Sequence, residues 1–122
     1  MSAKILTVDD SASIRLTTKV TLTNAGYEVT EAVNGAEGLD KAKAGQFDLI
    51  VTDLNMPVMD GLTMIEELRK LPAHMGVPII FLTTESDADL KARAKAAGAT
   101  GWLTKPFDPE NLVKIVRKVL GR

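Results

Sequence analysis

Hydrophobic positions along the chain follow two alternating rhythms. Short apolar runs bounded by Asp, Gly or Pro predict strands at "KILTV" 4–8, "EVTEA" 28–32, "DLIVT" 48–52, "PIIFLT" 78–83 and "GWLT" 101–104. Between them, over 13–25, 35–44, 61–70, 87–97 and 109–120, apolar residues recur at helical spacing. The last stretch is the sharpest: Leu112, Ile115, Val116, Val119 and Leu120 form one stripe, with Lys114, Arg117 and Lys118 opposite. Asp108 supplies an N-cap there and Pro109 the first helical position. Gly26, Gly45 and Gly98 stand where helices should stop. Five strand-then-helix units in a row predict an α/β domain, a mostly parallel sheet with helices on both faces. The unbroken apolar character of 49–51 and 79–82 suits central strands buried on both sides.

Composition narrows the class without changing this picture. A chain of 122 residues is expected to form one domain, 1–122, with no linker, low-complexity tract or repeat. Hydrophobic content of 45% and charged content of 25% are those of an ordinary globular protein. A net charge of −1 offers no electrostatic case for binding nucleic acid or a membrane surface. With no cysteine, disulfides and thiolate metal sites are excluded. The N-terminal apolar run is too short for a signal peptide and no segment approaches a membrane span, so a soluble cytoplasmic domain is expected.

The polar residues at strand ends carry the chemistry. Open α/β sheets bind ligands beyond the carboxyl ends of their strands, near a topological switch point. Here the first strand runs into Asp9 and Asp10, the third into Asp53, the fourth into Thr83-Thr84-Glu85 and the fifth into Lys105-Pro106. Singly, an Asp after a strand is ordinary turn chemistry. Together, four strand ends would gather three carboxylates, a hydroxyl and an ammonium on one rim. Carboxylates that close cannot all ionise comfortably without a cation. An all-oxygen donor set with no His or Cys suits Mg²⁺. One carboxylate is then free to attack phosphorus, and Asp53, on the central strand, is the best placed, with Thr83 and Lys105 to meet the phosphoryl group.

At this point the sequence resembles a known family. The blocks "DD" at 9–10, "DLIVTDLNMPVMDG" at 48–61, "PIIFLTT" at 78–84 and "KPF" at 105–107 closely resemble the receiver domains of bacterial response regulators, and among them the stand-alone CheY type. The resemblance implies a doubly wound, five-stranded parallel sheet of order 2-1-3-4-5 flanked by five helices. It implies that Asp53 accepts a phosphoryl group and that Asp10, Asp53 and the main-chain carbonyl of Asn55 bind Mg²⁺, with Asp9 acting through a metal-bound water. Thr83 is similar to the family's switch hydroxyl and Lys105 to its lysine, while Pro106 matches the residue that follows a cis peptide. Trp102 holds the place of an aromatic switch that is normally Tyr, Phe or His. Its larger indole leaves two readings open, a moving switch or a ring packed on the sheet edge. Asn55 and Glu85 match positions that tune self-dephosphorylation; both are polar, and a short-lived phosphoryl group is expected.

Two local features lie outside that pattern. On helix 13–25, placing Ile14 on the core stripe brings Thr17, Thr18, Thr21, Leu22 and Ala25 with it. Leu16 and Val20 then point outward as an apolar pair beside the acids, a candidate contact for a docking kinase. His74, the only histidine, sits in "LPAHMGVP" and is expected on the solvated surface, far from the rim.

The function expected is a phosphorylation-dependent signalling switch of a two-component system. The phosphodonor would be a CheA-like histidine kinase. The target would be a protein such as the flagellar motor switch, with a phosphatase as a further partner. The chain stops just past its last helix, so output is expected through protein contact over 87–97, 101–104 and 109–120, by a monomer that is not itself an enzyme. A phosphate sink or phosphorelay shuttle is the alternative. A Mg²⁺-dependent aspartyl phosphatase would need its acids two residues apart after the first strand, and a cap. A flavodoxin-like cofactor binder would need a Ser/Thr/Gly-rich loop where the acids stand.

Overall fold

The computed structural model describes residues 3–54, 56–83, 88–105 and 107–121, and only the backbone of 88–91. Chain order is β1 (Lys4–Val8), α1 (Ala12–Asn24), β2 (Glu28–Ala32), α2 (Gly35–Ala44), β3 (Leu49–Asp53), α3 (Gly61–Leu68), a 3₁₀ turn (Pro72–His74), β4 (Ile79–Thr83), α4 (Ala88–Ala96), β5 (Gly101–Thr104) and α5 (Pro109–Leu120). All pairings are parallel, in the order β2-β1-β3-β4-β5. That is the doubly wound order the resemblance implies.

Period-two alternation explains the layers. Leu49 and Val51 of β3 join Ile5, Ile80 and Leu82 on one face, against Leu22 of α1 and Leu112 and Val116 of α5. Ile50 joins Leu6, Val8, Ile79 and Phe81 on the other, against Leu39 of α2, Met64, Ile65 and Leu68 of α3 and Ala94 of α4. Both faces of the inner strands β1, β3 and β4 are covered, which is why they read as continuous apolar runs, while the edge strands β2 and β5 stay partly exposed.

Helix ends follow local chemistry. Ser11 caps α1 by accepting the Ile14 N–H at 3.4 Å, so α1 begins one residue earlier than its periodicity suggests. Asn34 and Asp60 cap α2 and α3. Asp108 caps α5, accepting from the Glu110 N–H with Pro109 following. Gly26 and Gly98 take positive φ just past α1 and α4, as stop signals should. Gly45 ends α2 in an extended conformation instead.

Three expectations need correction. The third helix stops at Leu68 rather than 70, because the chain turns into Pro72–His74. Thr17 is exposed: the inward stripe of α1 is Ile14, Thr18, Thr21, Leu22 and Ala25, and position 17 falls outside the arc they cover at about 3.6 residues per turn. His74 is not a surface residue but is 1% exposed. Among the described residues neither ring nitrogen has a hydrogen-bond partner, and its ring faces Phe47 with centroids 6.5 Å apart. The sequence disguised this because a loop histidine between Pro72 and Gly76 reads as polar.

Burial lowers the His74 pKa from its ordinary 6.5. Unfolded chains therefore bind the proton more readily, so the stability His74 contributes is full above that value and is lost as pH falls through it. We expect wild-type stability to fall more steeply between about pH 7 and 5 than that of His74→Leu, measured by denaturant melts. Parallel pH profiles would refute a buried neutral imidazole.

Candidate functional site

β1 and β3 lie side by side and end together, which brings Asp9, Asp10 and Asp53 to one point. Each offers a carboxylate oxygen within 4.8 Å of the others. Asp9 is buried and tightly held. Its Oδ1 accepts the Ser11 N–H at 2.9 Å, its carbonyl accepts Arg15 Nη1 at 2.8 Å, and its own N–H donates to the Ala32 carbonyl at 3.1 Å. Asp10 faces solvent, and Asp53 stands between them in exposure.

Lys105 enters from β5. Its backbone N–H donates to the Thr83 carbonyl at 2.8 Å, continuing the β4–β5 ladder past Thr104. Its Nζ then lies 2.8 Å from Asp9 Oδ2 and 3.3 Å from Asp53 Oδ2. Asp53 Oδ1 accepts the Leu54 N–H at 2.7 Å. The Asp53 pKa is nonetheless raised from 3.8. Burial is the main cause, followed by the lowering pull of Lys105 and then the raising push of Asp9; the hydrogen bonds from Lys105 and Leu54 also lower it.

These donors fit a hard divalent cation. Among the described residues three carboxylates gather beside a lysine that contacts Asp9 and Asp53, so negative charge is in excess, as a divalent cation requires. The donor set is all oxygen, and Asp10 opens to water, which Mg²⁺ retains when bound. Among the described residues no helix is long and apolar enough to cross a membrane.

Thr83, buried at the end of β4, belongs to the same rim, one register position beyond the Asp53–Leu82 pair. Trp102 is half-buried opposite Phe81, against the core under α3 and α4. It also lines an open groove of about 610 Å³ with Lys95, Thr100, Ile115, Lys118 and Val119. Asn55, Glu85 and Pro106 lie outside the described residues. The supporting groups Ser11, Arg15 and the Leu54 N–H were not singled out in sequence. Ser11 had a local signal, a small polar residue two past an Asp at a helix start.

Comparison with known proteins decides the family. The response regulator receiver domain matches residues 5–117. The chain belongs to the response regulator receiver domain family. This receiver domain is similar in structure to the chemotaxis response regulator CheY4 of Vibrio cholerae. TM-score is 0.93 and identity 48%, over 98% of this chain and 99% of that one. It is 38% identical to chemotaxis protein CheY1 of Helicobacter pylori, over 97% of each chain. It also matches a receiver domain from a sensor histidine kinase of Pseudomonas aeruginosa PAO1 with a magnesium ion in its active site cleft. Identity there is 29% and TM-score 0.91, over 100% of each chain. The chain spans only 48 to 58% of the length of the transcriptional regulators it matches, among them RpaA of Synechocystis at 37% identity over 98% of this chain.

The raised pKa of Asp53 has a consequence for stability. A carboxyl whose pKa rises on folding favours the fold most below its unfolded value, and that contribution is lost as pH climbs through the raised value. Ionised Asp53 therefore costs stability at neutral pH. We expect Asp53→Asn, without added metal, to raise Tm by a few degrees at pH 7. The gain should shrink as pH approaches 3.8, where the wild-type carboxyl is also neutral. An Asn variant less stable than wild type at pH 7 would contradict this.

Proposed function

We propose that this receiver domain is a phosphorylation-dependent switch in which Asp53 accepts the phosphoryl group of a phosphohistidine. The supporting observation is the meeting of three carboxylates beside the Lys105 ammonium. Asp10, Asp53 and the Asn55 main-chain carbonyl would hold Mg²⁺, with Asp9 acting through a water. When bound, the ion would neutralise charge on the phosphoryl oxygens.

In the transfer, an Asp53 carboxylate oxygen forms a bond to phosphorus as the P–N bond to the donor imidazole breaks. That nitrogen keeps the bonding pair and takes up a proton. The phosphoryl group carries nearly two negative charges, and because the Asp53 carboxylate gives up its own as the O–P bond forms, the site beside Asp9 gains about one. Lys105 Nζ, now shared between Asp9 and Asp53, would turn toward a phosphoryl oxygen, and the Thr83 hydroxyl would donate to another. Drawing Thr83 toward Asp53 would pull on the end of β4, which pairs with Thr104 of β5, two residues beyond Trp102. The surface of α4, β5 and α5 would thereby change its affinity for a protein target.

Near full-length similarity to CheY4 and CheY1 supports a chemotaxis role, with the flagellar motor switch as target. Likeness to the sensor-kinase receiver domains, at 29 and 32% identity, supports a second reading as a phosphate sink or relay shuttle. Either way the domain works as a stoichiometric phosphoacceptor in the cytoplasm rather than as a turnover enzyme, and its polar Asn55 and Glu85 favour a short-lived phosphoryl group.

Incubation with acetyl phosphate and Mg²⁺ should add the mass of one phosphoryl group, and Asp53→Asn or EDTA should abolish it. Continuous hydrolysis of phosphate esters instead would favour the phosphatase alternative. Trp102 fluorescence recorded alongside should change on phosphorylation; an indifferent indole would mark a packing residue only.

Leu16 and Val20 are 61% and 48% exposed on α1, as the helical spacing implied. Val20 also lines an open cavity of about 460 Å³ between α1 and α5, with Pro109, Val113 and Arg117. We assign this face to the phosphodonor kinase. Leu16→Glu with Val20→Glu should slow transfer from the cognate kinase on the order of tenfold while leaving uptake from acetyl phosphate unchanged. Unaltered transfer from the kinase would remove the assignment.

A further inference from the structure

Gly61 opens α3, a position where other residues form helix better than glycine. It does not use the left-handed backbone that Gly26, Gly98 and Gly121 use, so the reason for glycine is space. A Cβ at 61 would stand 2.2 Å from the Asp53 carbonyl oxygen and 3.2 Å from Phe81 Cε1, and the nearer neighbour is backbone with no flexible end to yield. To fit, α3 or the end of β3 must move by roughly an ångström.

That carbonyl oxygen is not an incidental neighbour. It also accepts the Thr52 hydroxyl at 2.9 Å. The Asp53 C=O and the Leu54 N–H belong to one planar peptide unit and turn together. The Leu54 N–H donates to Asp53 Oδ1 at 2.7 Å, and the Leu54 carbonyl in turn accepts the Gly61 N–H at 3.0 Å. A push on the oxygen at one side of this plane swings the donor at the other side away from the carboxylate.

We propose that Gly61 is a positioning residue for Asp53. Its bare α-carbon lets α3 close against the Asp53–Leu54 peptide, and that peptide aims the carboxylate. The catalytic consequence rests on the phosphoacceptor reading above; the orientation of the peptide does not.

The test compares Gly61→Ala, Thr52→Val and Gly26→Ala. Thr52→Val removes the hydroxyl that bonds the same carbonyl and keeps its shape. Gly26→Ala strains a positive-φ site between α1 and β2 where a Cβ would meet no neighbour, and controls for general destabilisation. Two quantities are read: the amide proton resonance of Leu54 in ¹⁵N-labelled protein, and the rate of phosphoryl uptake at saturating acetyl phosphate with Mg²⁺. Gly61→Ala and Thr52→Val should both shift the Leu54 resonance upfield and slow uptake on the order of 10- to 100-fold. Gly26→Ala should lower Tm and leave both at wild-type values. A wild-type value of either quantity in Gly61→Ala overturns the proposal, as does equal slowing in Gly26→Ala. If Gly61→Ala does not fold, Thr52→Val decides on the same two readings. If wild type takes up no phosphoryl group, the phosphoacceptor reading fails, and the Leu54 resonance alone decides whether Gly61 aims the carboxylate.

Discussion

Negative charges resist being gathered where water is scarce, and that resistance organises the carboxyl edge of this sheet. The Asp9 and Asp53 side chains keep only 4% and 13% of their surface exposed, and the Lys105 side chain between them 12%. Lys105 and Asp9 are 96 residues apart in sequence, so the partners meet only when β1, β3 and β5 are assembled. Folding therefore creates both the repulsion and its partial relief. The ammonium offsets one carboxylate and leaves an excess of negative charge, which is the condition that favours a divalent ion among oxygen donors.

Much of this was written in the sequence because it depends on strand ends and alternation. Five apolar runs gave five strands, and β1, β2, β5, α2 and α5 have the expected bounds. Asp9, Asp10, Asp53 and Lys105 meet as their places at strand ends required. The outward turn of Leu16 and Val20 followed from helical spacing alone.

What escaped the sequence was decided by contacts between distant segments. His74 is buried because the turn after α3 folds under the sheet beside Phe47, and no local pattern announces that. Thr17 and Thr18 look alike in a stripe, and only the packed helix shows which one faces inward. Gly61 ends the motif "MDG" like any turn glycine, and its closeness to Asp53 appears only when α3 folds back over β3. The Asp10 side chain reaches the cluster while exposed, so burial would have been a poor guide to it.

At the opposite end of the sheet, Arg69 works as a rivet. Its Nη1 donates to the carbonyls of His74 and Val77 at 2.9 and 2.8 Å, and its Nη2 to that of Gly98 at 2.8 Å. One guanidinium thus fastens the end of α3 to the approach to β4 and to the turn between α4 and β5. A rigid fork that satisfies three backbone oxygens leaves little room for sliding. Any displacement of β4 and β5 at the acidic rim would then take the form of levered bending about this fixed floor, largest at the tips and fading toward Arg69.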